Sequence, residues 1–261
     1  RSVLPEGHFG DHPGKVDDMA AVTLLHTKGL SRRFGGLKAV QNVDFDLKQG
    51  EIRALIGPNG AGKTTFVSLL SGRIVPTEGH VFFEGEEVTG DPAWRRVRKG
   101  IAYTFQITSV YAKLTAYENV ALAAQSALSR SGAVRKKDLD RAIAEAIEKV
   151  GLSDRARMKA GELSYGHQRL LEVAMGLALR PKLLMLDEPT QGLSEAEIDN
   201  FCALVRDIAR NATILLIEHN MPVVMQLADS ITVLNAGEIL ANGTPAEIRA
   251  NPAVQAAYLG S

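Results

Sequence analysis

A single cysteine, Cys202, cannot close an intramolecular disulfide. It falls in a helical apolar pattern, where a thiol packs as a small hydrophobe, and the chain suits a reducing compartment. Net charge is also missing: 30 Lys and Arg balance 30 Asp and Glu, so no overall field gathers nucleic acid or anionic lipid. Nucleic acid is therefore not an expected partner. No uncharged apolar run approaches the roughly 18 residues that span a bilayer; the longest candidates, such as residues 213–217, have the length of a strand. Any membrane role is peripheral. No internal repeat is visible. What is present is a chain of 261 residues, 45% hydrophobic, enough for a sizeable core.

Residues 1–18 crowd His8, Gly10, His12, Pro13 and Gly14 without periodicity, so 1–22 read as a flexible leader or an expression remnant, with Met19 a plausible natural start. The acidic pair Asp17-Asp18 precedes the short apolar run 20–25, the opposite of a secretory signal. Residues 23–261 read as one domain.

That domain is organised around Gly57-Pro58-Asn59-Gly60-Ala61-Gly62-Lys63-Thr64, a G-x-x-x-x-G-K-[ST] phosphate-binding loop between an apolar strand, Ala54-Leu55-Ile56, and a helical pattern over about 63–71. Its glycines let the backbone turn with N–H groups inward. Lys63 can reach β/γ-phosphates, the Thr64 hydroxyl can sit on Mg²⁺, and the helix dipole adds positive potential.

Before the loop, residues 23–47 read as two strands interrupted by Phe34-Gly35-Gly36; Phe34 is either an adenine-stacking ring or a core side chain beside a turn. After it come a strand over 80–84, a short helix over 92–99, and a strand over 101–105 that ends at Gln106. Between 115 and 150 the period turns helical, with one helix through Glu118, Val120, Leu122 and Ala124 and a second over about 137–150, separated by a basic cluster at 130–137. This reads as a helical subdomain, about 107–180, inserted in the core. Ser164 caps a further helix running to about residue 179, and Gly166 leaves an open backbone N–H in its first turn; on its own this is more often a simple cap than an anion site. The buried strand 183–186 runs into Asp187-Glu188, whose carboxylates alternate in direction, and strand 212–217 runs into Glu218-His219. Both carboxylates and the imidazole then share the strand-end edge where α/β proteins bind ligands.

In this order, the phosphate loop, Gln106, Leu163 to Gln168, Asp187-Glu188 and His219 resemble the ATP-binding cassette ATPases, over essentially all of 23–260. The resemblance implies an α/β P-loop core with a mixed sheet flanked by helices, an antiparallel β subdomain and the helical insert. By the same resemblance Phe34 stacks on adenine, Gly57 to Thr65 bind ATP, and Gln106 senses Mg²⁺ and the γ-phosphate while contacting the membrane partner. Ser164 and Gly166 grip ATP bound to a second subunit, Asp187 associates with Mg²⁺, Glu188 is the general base and His219 the switch histidine. Two departures stand out against the family's Leu-Ser-Gly-Gly-Gln: Tyr165 replaces the first glycine, and His167 reads as inserted before Gln168. Glu195 follows the loop where many members have aspartate and carries no expected role.

With one loop and one signature per chain, the implied unit is a dimer of ATPase subunits, homomeric or heteromeric, with two ATP molecules between them. It would drive separate transmembrane permease subunits from the inner face of the cell membrane, served indirectly by a periplasmic substrate-binding protein. Leu163-Ser164-Tyr165-Gly166 into Arg169-Leu170-Leu171-Glu172, Glu218-His219-Asn220-Met221 and the closing Ala256-Ala257-Tyr258-Leu259-Gly260 are similar to the larger ATPase of bacterial branched-chain amino-acid importers. An exporter or lipid-extraction ATPase, a soluble non-transport cassette, and an ATP-gated regulatory subunit are the alternatives at this stage.

Overall fold

A computed structural model describes residues 22–104, 110–129 and 134–259. Residues 1–21 of the expected leader, Gln106 and the start of the basic cluster lie outside these residues. The chain enters as an antiparallel hairpin, β1 (Thr23–Phe34) and β2 (Leu37–Lys48), turning at Gly35, whose φ of +57° suits glycine. β3 (Ile52–Ile56) is buried at every residue and leads through the phosphate loop into α1 (Lys63–Leu70). β4 (Glu78–Phe83) and β5 (Glu86–Glu87) complete a four-stranded antiparallel sheet in the order β2-β1-β4-β5.

After α2 (Ala93–Lys99) and β6 (Ile101–Thr104) come three helices that pack together: α3 (Ala116–Leu128), α4 (Lys136–Lys149) and α5 (Tyr165–Ala178). Thr115 and Glu118 form a capping box at the start of α3, each side chain bonding the other's backbone N–H. Strand and helix then alternate as far as β9, and a hairpin strand and two short helices close the chain: β7 (Leu183–Asp187), α6 (Glu195–Ala209), β8 (Thr213–Ile217), α7 (Met221–Leu227), β9 (Ser230–Asn235), β10 (Glu238–Gly243), α8 (Pro245–Ala250) and α9 (Pro252–Leu259). The second sheet has the order β10-β9-β3-β8-β7-β6, parallel throughout except for β10, which pairs antiparallel with β9.

Period-two alternation explains how this sheet is covered on both faces. Leu183, Met185, Leu215 and Ile217 point to one face, where α1 (Phe66, Val67, Leu69, Leu70) lies beneath the antiparallel sheet's Val40, Phe45 and Phe83. Phe45 meets Phe66 edge to face at 5.3 Å. Leu184, Leu186, Ile214 and Leu216 point the other way, onto α3 to α6 and buried Cys202. Cys202 is thus a core residue, as its pattern suggests.

Arg96 is fully buried, which a basic stretch reading Arg95-Arg96-Val97-Arg98-Lys99 does not advertise. Its guanidinium donates to the carbonyls of Leu69 (2.7 Å), Leu70 (2.8 Å), Thr89 (3.0 Å) and Asp91 (3.1 Å), closing the orphan end of α1. Burial, against the attraction of Asp91, pushes its pKa down to about 10, so the group stays charged at neutral pH.

Candidate nucleotide site

The parallel strands β3, β7 and β8 end side by side, at Ile56, Asp187 and Ile217, and the chemistry-bearing residues follow directly. The phosphate loop needs its glycines for close approach. A Cβ on Gly57 would lie 2.2 Å from the Leu234 carbonyl oxygen, and one on Gly62 2.3 Å from that of Ala39. Gly62 caps α1 with φ +98°, and Gly60 holds φ +79°. Pro58 accepts the Ala61 N–H at 3.1 Å, while Ala61 accepts that of Gly237 at 2.9 Å, tying the loop to the β9–β10 turn.

Asn59, Gly60 and Thr64 are exposed, with Pro58 and Thr65 half-buried beside them. Lys63 Nζ turns into the loop, donating to Gly57 O at 2.6 Å and Pro58 O at 3.1 Å. Burial lowers the Lys63 pKa, opposed by the charges of Glu188 and Asp187. An ammonium, a helix N-terminus and turned-in backbone make a site for an anion of phosphate size.

Asp187 is the last residue of β7 and is buried. Burial raises its pKa, opposed by the hydroxyl of Tyr103, which donates to Oδ2 at 2.5 Å. Burial, and after it the same bond, push the Tyr103 phenol well above its ordinary range. Tyr103 gave no signal in the sequence; only its place on β6, beside β7, brings it to Asp187.

Glu188 departs from the alternation argument. The strand ends at Asp187, and Glu188 turns at φ +46°, a left-handed conformation uncommon for a non-glycine residue, while its N–H donates to Ile217 O at 2.8 Å. Strand pleat therefore does not set the direction of the Glu188 side chain. His219 Nδ1 lies 3.7 Å from Glu188 Oε1, and its imidazole is largely exposed. Two carboxylates, one of them buried, an imidazole and an ammonium thus share one strand-end edge.

Ser164 caps α5, its Oγ accepting the His167 N–H at 3.3 Å and lying 2.7 Å from His167 Nδ1. The helix runs on from Tyr165 without interruption, so His167 and Gln168 both lie among its first four residues. Gly166 is buried against the loop after β7 and the first turn of α6: a Cβ there would lie 2.7 Å from Glu197 Oε1 and 3.1 Å from Leu193 Cδ2. Close packing is therefore a second reason for glycine at this position. Phe34 is 45% exposed at the end of β1, with the Arg32 guanidinium 4.7 Å from its ring.

Among the described residues, no group of three or more His, Cys, Asp or Glu is arranged to hold a metal. The donors offered are one exposed hydroxyl, Thr64, and one buried carboxylate, Asp187. Hard oxygen donors few in number fit Mg²⁺, which keeps waters and shares phosphate oxygens in nucleotide sites.

The ABC transporter family model matches residues 40–191, and a second, for branched-chain amino acid ATP-binding cassette transporters, matches 238–261. The chain is 41% identical over 249 residues to the high-affinity branched-chain amino acid transport ATP-binding protein BraF of Pseudomonas aeruginosa, covering 91% of this chain and 98% of that one. The ADP conformation of MJ1267, an ATP-binding cassette of an ABC transporter, superimposes with a TM-score of 0.82 at 27% identity, over 92% of this chain and all of that one. The cassette MJ0796, dimeric in a post-hydrolysis state with ADP and Pi, gives a TM-score of 0.76 at 25% identity, over 85% of this chain and 99% of that one. The chain therefore belongs to the ABC transporter family as one of its ATP-binding ATPase cassettes.

Proposed function

We propose that this chain is the ATP-hydrolysing subunit of an importer for branched-chain and other hydrophobic amino acids or related small polar metabolites. The observation that carries the hydrolytic part is the convergence of Lys63, Asp187, Glu188 and His219 on one edge, with His219 3.7 Å from Glu188. The importer assignment is supported by similarity to BraF over nearly the full length of both chains.

In this reading Gly57 to Thr65 cradle the ATP phosphates, with Lys63 leaving its carbonyl partners for the β/γ oxygens, and Phe34 stacks on adenine. Thr64 and Asp187, with Gln106, would hold Mg²⁺, which would supply positive charge against that developing on the phosphates. Glu188 orients a water and accepts its proton as the water oxygen attacks the γ-phosphorus. The bond from that phosphorus to the bridging oxygen breaks, and ADP and phosphate leave. His219 and Lys63 stabilise charge on the transferring group.

Ser164 and Gly166 complete the site of a second ATPase subunit, so two nucleotides are enclosed head to tail, an arrangement supported by the dimeric state of MJ0796. Closure on ATP and opening after hydrolysis would move separate permease subunits at the inner face of the membrane, to which a periplasmic binding protein delivers substrate. No helix among the described residues is long and apolar enough to cross a membrane itself.

The test is phosphate release by the purified chain against Mg²⁺ and ATP concentration, alone and with candidate permeases. Saturable release that stops on chelation supports the reading; release that is unchanged by chelation and in Lys63→Met contradicts it.

A further inference from the structure

Glu218 is 1% exposed, and both its carboxylate oxygens are used twice. Oε1 accepts the backbone N–H of Thr190 at 3.1 Å and also the Thr190 hydroxyl. Oε2 accepts the backbone N–H groups of His219 at 3.0 Å and Asn220 at 3.1 Å. A carboxylate taken from water is tolerated only when its lone pairs are satisfied, and here four donors from two separate loops do so.

The two loops are those that carry the chemistry. Thr190 lies two residues after Glu188, and His219 follows Glu218 directly. β7 ends at Asp187 and β8 at Ile217, so beyond the strands the ladder contributes only the bond from Glu188 N–H to Ile217 O. Glu218 adds a hydrogen-bonded cross-link between the two loops. The Thr190 loop also packs on the start of α5: a Cβ on Gly192 would lie 2.9 Å from Tyr165 Cε1, as one on Gly166 would lie 3.1 Å from Leu193 Cδ2. A contiguous path thus runs from 164–166 through 190–193 and Glu218 to His219.

We propose that Glu218 is a positioning residue for hydrolysis, a buried clamp that fixes the loop after Glu188 against the His219 loop and so sets the separation of base and imidazole. This rests on the hydrolytic reading of the site. Glu218 acts on both partners through their backbones, so its loss disturbs turnover and not nucleotide capture, which the Lys63 loop performs. In Glu218→Gln the new amide faces donors on one side, and one loop must move away.

The experiment compares wild type, Glu218→Gln, Thr190→Val and the double variant by ATP turnover, fluorescent ATP-analogue affinity and thermal melting. Glu218→Gln is expected to lower kcat about tenfold or more, with KM and analogue affinity within about twofold. Thr190→Val, which keeps the buried carboxylate and the backbone donors, is expected to lower kcat by less, and the double variant to be no worse than Glu218→Gln because both act on one bond network. Independent, multiplying effects overturn the proposal, as does a wild-type kcat in Thr190→Val. So does a fall in kcat that tracks loss of affinity and melting temperature alike, as in a general folding defect. If the wild type releases no phosphate, the hydrolytic reading fails separately. The His219 ring resonances of nucleotide-free protein then decide the clamp: they are expected to shift in Thr190→Val, and their staying fixed contradicts it.

Discussion

The Tyr103 hydroxyl donates to Asp187 Oδ2 at 2.5 Å, reaching past its ladder partner Met185 to the end of the neighbouring strand. One carboxylate oxygen is thereby committed, which fixes the direction of the other. The bond favours the ionised acid, against burial, which favours the neutral one.

The sign of the resulting pH dependence follows. A carboxyl whose pKa is raised on folding favours the folded state fully below its unfolded value, about 4, and loses that contribution as pH rises through the folded value. Asp187→Asn removes this loss, so nucleotide-free protein carrying it is expected to show a flatter melting profile above pH 4 than wild type. Tyr103→Phe withdraws the opposing bond and is expected to steepen the profile, with a melting temperature lower by about 2–4 °C or more near neutral pH. Calorimetry across pH checks both; equal slopes in all three proteins contradict the assignment.

Arg96→Met leaves four carbonyl groups without the cation that now joins them. Removing one side of such a buried network is expected to cost about 3–5 kcal/mol. Urea unfolding measures this directly. A loss below about 1 kcal/mol would mean that water or a repacked neighbour replaces the guanidinium.

Gly62→Ala places a methyl group 2.3 Å from the Ala39 carbonyl oxygen and at φ +98°. The loop must shift relative to the β1–β2 hairpin, and nucleotide affinity is expected to fall about tenfold or more. Gly36→Ala, where a Cβ meets nothing within 4 Å, is the control expected to bind normally. Titration with a fluorescent ATP analogue separates them.

Much of this site was legible because its signals are local. The phosphate loop is contiguous, and apolar runs such as Leu183 to Leu186 and Ile214 to Ile217 read as buried strands whose ends carry acid and imidazole. Where the sequence reading gave bounds they moved by only a residue or two, as at β4, which starts at Glu78, and α2, where Pro92 is the cap, whereas the elements after β8 had no bounds read for them. What was hidden depends on distant partners. Tyr103 meets Asp187 only because β6 lies beside β7, and Glu218 looked like a companion of His219 until the fold brought Thr190 to it. Arg96 resembled its solvent-facing neighbours, since nothing in a run of cations marks which one turns inward. The left-handed turn at Glu188 was hidden for a related reason, because the pattern of a strand does not reveal where it stops.

The central claim is that Glu188 supports hydrolysis while another subunit helps enclose the nucleotide. Glu188→Gln keeps the shape of the side chain but removes the base. Light scattering with ATP and Mg²⁺, read alongside phosphate release, tests it most directly. The expected result is that wild type releases phosphate and returns to monomer, whereas Glu188→Gln binds ATP, releases at least about a hundredfold less phosphate and accumulates as a dimer. Turnover in Glu188→Gln equal to wild type, or an inert variant that binds ATP and stays monomeric, would contradict the account.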